Sequence, residues 1–204
     1  MNEILDKMKI YTLLMLIVIN ILPFEIYAQE QEKELNKEFI SESKAIAFLE
    51  KNGTLIKKEY YDIEAVKVDG VSFENIILTD LLTKEKVGAL RLETYYYYPS
   101  LNKQETYIGT LDYDEIDACI KSLEYIYENI TKTVPSTYTE CVYSSRDGVS
   151  ISTFWREKKN CWEIALKTKK YISNSETYLK IDSILHIILN LNNAKAQLKE
   201  LLNK

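Results

Sequence analysis

The chain has 204 residues, a net charge of −5 and 46% hydrophobic residues, with only five glycines and three prolines. That composition excludes a disordered or collagen-like chain, and the acidic balance argues against a surface dominated by phosphate binding. The length suits one domain or two small repeats.

The first residues read as a targeting segment. "MKIYTLLMLIVINILPFEIYAQ" places Lys9 ahead of an apolar run at 10–22, followed by Pro23 and the small residue Ala28. That is the order of a secretory signal, and its apolar run is shorter than the roughly 20 residues a membrane span needs. Glu3 and Asp6 are out of place in a basic leader, which points to a start at Met8. The expectation is a signal peptide at 1–28 and export to the periplasm or the extracellular space, with no membrane span after cleavage. Residues 1–28 hold two lysines and three acids, so the mature chain would carry −4. Residues 29–40, "QEQEKELNKEFI", are expected to be a flexible charged segment.

A single α+β domain is expected over 41–204. Ser41 or Ser43 can cap a short helix at 42–51, with Ala45, Ile46, Phe48 and Leu49 on its apolar side and Gly53 ending the turn. Alternating segments at 55–68, 71–81, 86–98 and 104–110 then predict four strands. "LDYDEIDACIKSLEYIYENI" returns to helical spacing, with Ile116, Ile120, Leu123 and Tyr127 on one side and a capping box from Asp112 to Glu115 at its start. The plan repeats in strands at 137–145, 148–155, 161–170 and 175–179, closed by a helix from "KIDSILHIILNLNNAKAQLKELL". An offset of 68 residues pairs Leu111 with Leu179, Ile116 with Ile184, Ile120 with Ile188 and Leu123 with Leu191. The fold class is therefore α+β: two antiparallel ββββα units, about 55–131 and 136–204, with helices on one face of the sheets.

Strand alternation assigns the faces. Asp147-Gly148 suits a two-residue hairpin turn, which pairs Val142 with Thr153 and Cys141 with Phe154. Val142, Val149, Ile151 and Trp155 then share the core face, joined by Trp162, Ile164 and Leu166. Cys141 and Cys161 fall together on the other face, two strands and about 10 Å apart, too far for a disulfide. In "TYYYYPS", Leu90, Leu92, Tyr96 and Tyr98 look inward, whereas Arg91, Glu93, Tyr95 and Tyr97 look outward.

No motif names a reaction. His186, the only histidine, sits in the apolar "ILHIILNL" and reads as structural, so no nucleophilic site is assembled around it. The acidic run "LDYDEID" lacks the glycine and late glutamate of a calcium loop, and helix capping explains its acids. The cysteines match no zinc spacing. No cofactor or metal is expected. Residues 156–170 hold six Lys/Arg against two Glu, which reads as a solvated turn and a lysine-guarded strand.

The order of two successive four-strand-plus-helix units, over about 55–203, resembles the Whirly and related coactivator-type single-stranded-DNA-binding fold. The leader followed by a compact α+β domain also resembles small exported proteins of unknown function from Gram-negative bacteria. The first resemblance implies nucleic acid on an exposed sheet face; export and negative charge count against it. The leading expectation is a non-enzymatic exported domain that binds a protein or glycan partner through an aromatic, partly basic outward face. Its candidate ligand-binding residues are Arg91, Tyr95, Tyr97, Tyr143, Phe154, Lys167 and Lys169. The alternatives are a carboxylate-based hydrolase of envelope or extracellular polymers, since paired acids are a three-dimensional feature, and a single-stranded nucleic-acid-binding module. Self-association is compatible with either.

Overall fold

The computed structural model describes residues 43–204. The signal segment, the charged segment and the first residue of the helix expected at 42–51 lie outside the described residues.

Two four-stranded antiparallel meanders and three helices make up the described chain. Helix α1 (Lys44–Leu49) precedes the first sheet, β1 (Ile56–Asp62), β2 (Val71–Asp80), β3 (Lys86–Tyr98) and β4 (Lys103–Asp112). Helix α2 (Ile116–Tyr125) follows and ends in a π-helical turn, Ile126–Ile130. The second sheet is β5 (Glu140–Ser144), β6 (Ser150–Arg156), β7 (Cys161–Lys167) and β8 (Glu176–Lys180), followed by α3 (Ser183–Leu202). Two ββββα units describe this order.

Each helix does not simply close its own sheet. Helix α3 packs on β2 and β3 of the first sheet, while α2 packs against α3 and β5 of the second. One hydrophobic cluster therefore runs through both units, from Phe73, Ile77, Leu90, Leu92 and Leu111 to Ile151, Ile164, Leu166, Ile187 and Leu198. Burying each such side chain contributes about 1.5–3 kcal/mol. The residues paired at an offset of 68 all belong to this cluster or pack against it. A smaller cluster, Ala45, Phe48, Ile76, Leu78 and Ala89, lies under α1 on the opposite face of the first sheet.

Close contacts join the two sheets. Thr94 Oγ1 lies 2.8 Å from Thr168 Oγ1 and donates to the Ser175 carbonyl at 2.9 Å. Asp147 Oδ2 accepts the Thr110 amide at 2.9 Å and the Thr110 hydroxyl at 3.0 Å. Gly109 sits at the tightest point: a Cβ there would come within 2.3 Å of the Thr168 carbonyl oxygen.

Three expectations are corrected. The strand expected at 55–68 stops at Asp62. Beyond it Asn190, fully buried in α3, takes the place of a neighbouring strand: its Oδ1 accepts the Val66 amide at 2.7 Å and its Nδ2 donates to the Val66 carbonyl at 2.8 Å. Asn193 and Gln197, on the same side of α3, donate to the carbonyls of Glu64 and Asp62.

The β5–β6 turn has three residues, not two. Ser145 donates its amide to the Val149 carbonyl, Gly148 donates to Ser145, and only Gly148 within the turn has positive φ, at 84°. A two-residue turn of the expected type needs positive φ at both central positions, which Asp147 does not adopt. The register therefore shifts by one, pairing Val142 with Ser152 and Cys141 with Thr153. A one-residue slip exchanges faces. Val142 points out, 56% exposed, whereas Cys141 and Tyr143 pack against the core. Cys141 and Cys161 thus lie on opposite faces, and both are free thiols. The far side of the hairpin keeps its expected faces: Trp155 and Trp162 are buried opposite each other, ring centroids 5.6 Å apart.

The tyrosine run is the third correction. β2 begins at Val71, opposite Thr94, so β3 and β4 continue alone as a two-stranded ribbon at 95–98 and 103–106. Thr94 is the last inward residue that is fully buried. Tyr96, expected to pack, is exposed like Tyr95 and Tyr97, and Tyr98 is half-buried.

Candidate functional site

The outward face of the first sheet is divided. α1 packs on Ile76, Leu78 and Ala89, and beside it the face forms a groove of about 450 Å³. Ile76 and Arg91 floor it, with Tyr60 beside them. Ile46 and Leu49 of α1 form one wall, Ile108 and Thr110 of β4 another, and Lys169 and Ile172 reach over from beyond β7. Lys58 stands at the rim.

The groove's charges differ in availability. Arg91 Nη1 lies 2.6 Å from Glu74 Oε2, and its Nη2 contacts Glu93, so its guanidinium is neutralised on both sides. The same group lies over the Tyr60 ring, 5.6 Å from its centroid. Lys169 Nζ lies 3.5 Å from Asp147 Oδ2, an oxygen that already accepts from Thr110. Among the described residues, Lys58 has no ion-pair partner within 4.0 Å. The groove is thus apolar inside, with two loosely held cations.

The seven candidate residues do not form one surface. Arg91 and Lys169 meet in the groove. Tyr95 and Tyr97 stand on the ribbon with their hydroxyls engaged: Tyr95 donates to Glu93 at 2.7 Å and Tyr97 to Asn102 at 2.7 Å. The shift of the Tyr95 phenol is upward, with the Ser72 hydrogen bond opposing it and the one to Glu93 favouring it. Lys167 and Phe154 lie on the outward face of the second sheet. Tyr143, expected on that face, is on the core side, its hydroxyl 3.2 Å from the Glu115 carbonyl that accepts from it. Burial pushes its phenol well above the usual range.

Phe154 centres a second hollow, of about 440 Å³, with Tyr138, Tyr178, Arg156 and Lys158. Tyr178 meets the Phe154 ring edge-on at 6.0 Å. Arg156 is held by Glu163, with Nη2 to Oε2 at 2.8 Å.

The acidic run 112–117 does its work at a junction of three elements. Glu115 reaches back to the Asp112 amide at 3.1 Å, which is half of the expected capping box. The Asp112 carboxylate instead turns to α1, accepting the Lys44 and Ala45 amides at 2.7 and 2.9 Å and the Ser43 hydroxyl at 2.9 Å. Arg146, from the β5–β6 turn, contacts Asp112 at 3.0 Å and also Asp114 and Glu115. Lys44 Nζ lies 2.8 Å from Asp114. Among the described residues no three His, Cys, Asp or Glu side chains are grouped as metal ligands, and His186 is exposed.

Sequence reasoning missed Lys58, Tyr60, Ile108 and Ile172. Tyr60 and Lys58 alternate along β1, and a β1–β2 register would have set them on the same face as Arg91. Ile172 carried no signal, since it enters only through the packing of the two sheets. Compared with known protein families, with curated proteins and with solved structures, the chain matches none.

Proposed function

We propose that this chain is an exported, non-enzymatic interaction domain, and that its site is the groove on the outward face of the first sheet. The groove carries the reading: its apolar lining lies between Lys58 and Lys169, neither of them tightly paired. Such a lining suits a protein segment that presents aliphatic side chains beside a carboxylate, more than it suits a polar glycan.

Two observations count against the other readings. Among the described residues, hydrogen bonds hold the carboxyls of Asp80, Glu105, Asp114 and Glu163 below their ordinary value. A hydrolase's general acid needs the opposite shift. The element order shared with the Whirly-type fold remains a likeness of plan. Here α1 covers part of the outward face, and Glu74, Glu93 and Glu163 stand on the outward faces, an arrangement that disfavours phosphate.

The test uses synthetic peptides that alternate leucine or isoleucine with glutamate, and the same peptides with lysine in place of glutamate. Methyl NMR should show Ile108 and Ile172 shifting with the acidic set, and a Lys58→Glu, Lys169→Glu double variant should bind at least tenfold more weakly. Methyl signals that ignore every peptide would overturn the reading. So would chito- or cello-oligosaccharides that instead perturb Tyr138, Phe154 and Tyr178, which would place a glycan in the second hollow.

A further inference from the structure

The second sheet has two edge strands, β8, which comes close to β3 of the first sheet, and β5. β6 lies on one side of β5, and among the described residues no strand lies on the other. The hydrogen bonds from Ser145 to Val149 and from Trp155 to Thr139 fix which residues face β6. In an antiparallel ladder that alternation turns residues 139, 141, 143 and 145 toward β6. The amides and carbonyls of Glu140, Val142 and Ser144 therefore point away from the sheet, and among the described residues they have no backbone partner.

The usual protections of an edge are missing here. "ECVYS" has no lysine or proline, whereas the edge strand β1 carries Lys57 and Lys58. The edge β4 is partly occupied, because Thr110 donates its amide to Asp147 of the second sheet. Beside β5 lies an apolar hollow of about 380 Å³, lined by Tyr125, Ile126 and Ile130 of the α2 segment and by Cys141 and Tyr143. Tyr125 is 62% exposed.

We propose that β5 pairs with β5 of a second copy of this chain across a two-fold axis at Val142, joining two second sheets into one eight-stranded sheet. The strand is complementary to itself in that register. Val142 meets its own copy, Glu140 meets Ser144, and all three outward-facing residues are used, giving about six hydrogen bonds. Centring the axis at Glu140 would set two carboxylates opposite each other, which is repulsive. Sheets continued edge to edge keep their core faces on one side, so α2 of each copy lies beside the other, and Tyr125 covers the hollow next to its partner. That adds apolar area which five paired residues alone would not bury, and a stable dimer needs about 1,000 Å² or more.

The test is sedimentation of the full chain with variants at Val142, an exposed position whose amide takes no part in the β5–β6 ladder. The wild type should sediment as a dimer at about 100 µM, far above the dissociation constant of a stable pair. Val142→Lys and Val142→Glu should each be monomeric with unchanged circular dichroism. Mixing the two should restore the dimer, since lysine then opposes glutamate at the axis. A monomeric wild type overturns the proposal. So does a dimer that survives both substitutions, or one that the mixture does not recover. Association of the wild type only with added alternating apolar peptides would assign the edge to a foreign strand and also overturn it.

Discussion

Asp112 caps a helix that lies almost seventy residues before it: its Oδ2 accepts the Lys44 amide at 2.7 Å, while its own helix, α2, gets no side-chain cap. The carboxylate is 1% exposed and makes three further contacts, to Ser43, Ala45 and Arg146. It thereby ties α1, and with it one wall of the groove, to the end of β4.

Asp112→Ala should therefore destabilise the protein by about 3 kcal/mol, through the lost cap and a partly unpaired Arg146. Asp112→Asn, which keeps one acceptor oxygen, should lose less. Urea denaturation measures both. Equal stability of the alanine variant and the wild type would contradict the capping role.

The same junction sets an acid response. Burial alone would raise the Asp114 carboxyl, but hydrogen bonds from Arg146 and Lys44 outweigh it and hold the group below its ordinary value. A carboxylate with a depressed folded-state pKa stabilises fully above its unfolded value, about 3.9, and loses that contribution as pH falls through the lower folded value. Stability should thus decline below about pH 4, and Arg146→Met should make that decline shallower. Unfolding followed between pH 5 and 2 tests this, and an unchanged slope in the variant would refute it.

Gly109 is required by contact, not by φ. Its α-carbon faces Thr168 and Val149 where the two sheets touch, and a methyl group would lie 2.5 Å from Val149 Cγ2. Gly109→Ala should cost about 3 kcal/mol, because backbone on the far side cannot yield as a side-chain end would. Gly53, whose added Cβ would meet nothing within 4 Å, serves as the control; its positive φ of 73° limits the penalty there to about 1 kcal/mol of backbone strain. Thermal melts of the two variants side by side should separate these effects.

Asn190 replaces a strand partner, which gives a sharper test. Asn190→Leu removes both hydrogen bonds to Val66 and should destabilise by about 2–3 kcal/mol, although leucine is the more apolar residue in a buried site. Limited proteolysis should then cut first within 62–68. A variant as stable as the wild type would mean that water replaces the amide at no cost.

Much of the plan was legible in one dimension. The switch from period two to period 3.6, the four-plus-four strand count and the core identities of Trp155, Trp162, Leu90 and Leu92 follow from local chemistry, because alternation and helical spacing record which side of each element avoids water. Register was not legible to within one residue. Asp147-Gly148 fits two turn types, and the contacts of Asp147 with Thr110 and of Arg146 with Glu115 are made in the turn that forms. That single step moved Tyr143 from the outward face to the core. The end of the sheet was not legible either: nothing within "TYYYYPS" shows that β2 stops opposite Thr94 and leaves the next four tyrosines on a ribbon.

The groove itself belongs wholly to the tertiary structure. Lys58, Arg91, Ile108 and Lys169 come from β1, β3, β4 and the segment after β7, and they meet only once the sheets are packed against each other. The sequence by itself determined which residues leave water and with what periodicity, since those are properties of neighbours along the chain. Only the tertiary structure decided which sheet each helix covers, which carboxylate caps which helix and which edge stays open, because those depend on contacts between residues tens of positions apart.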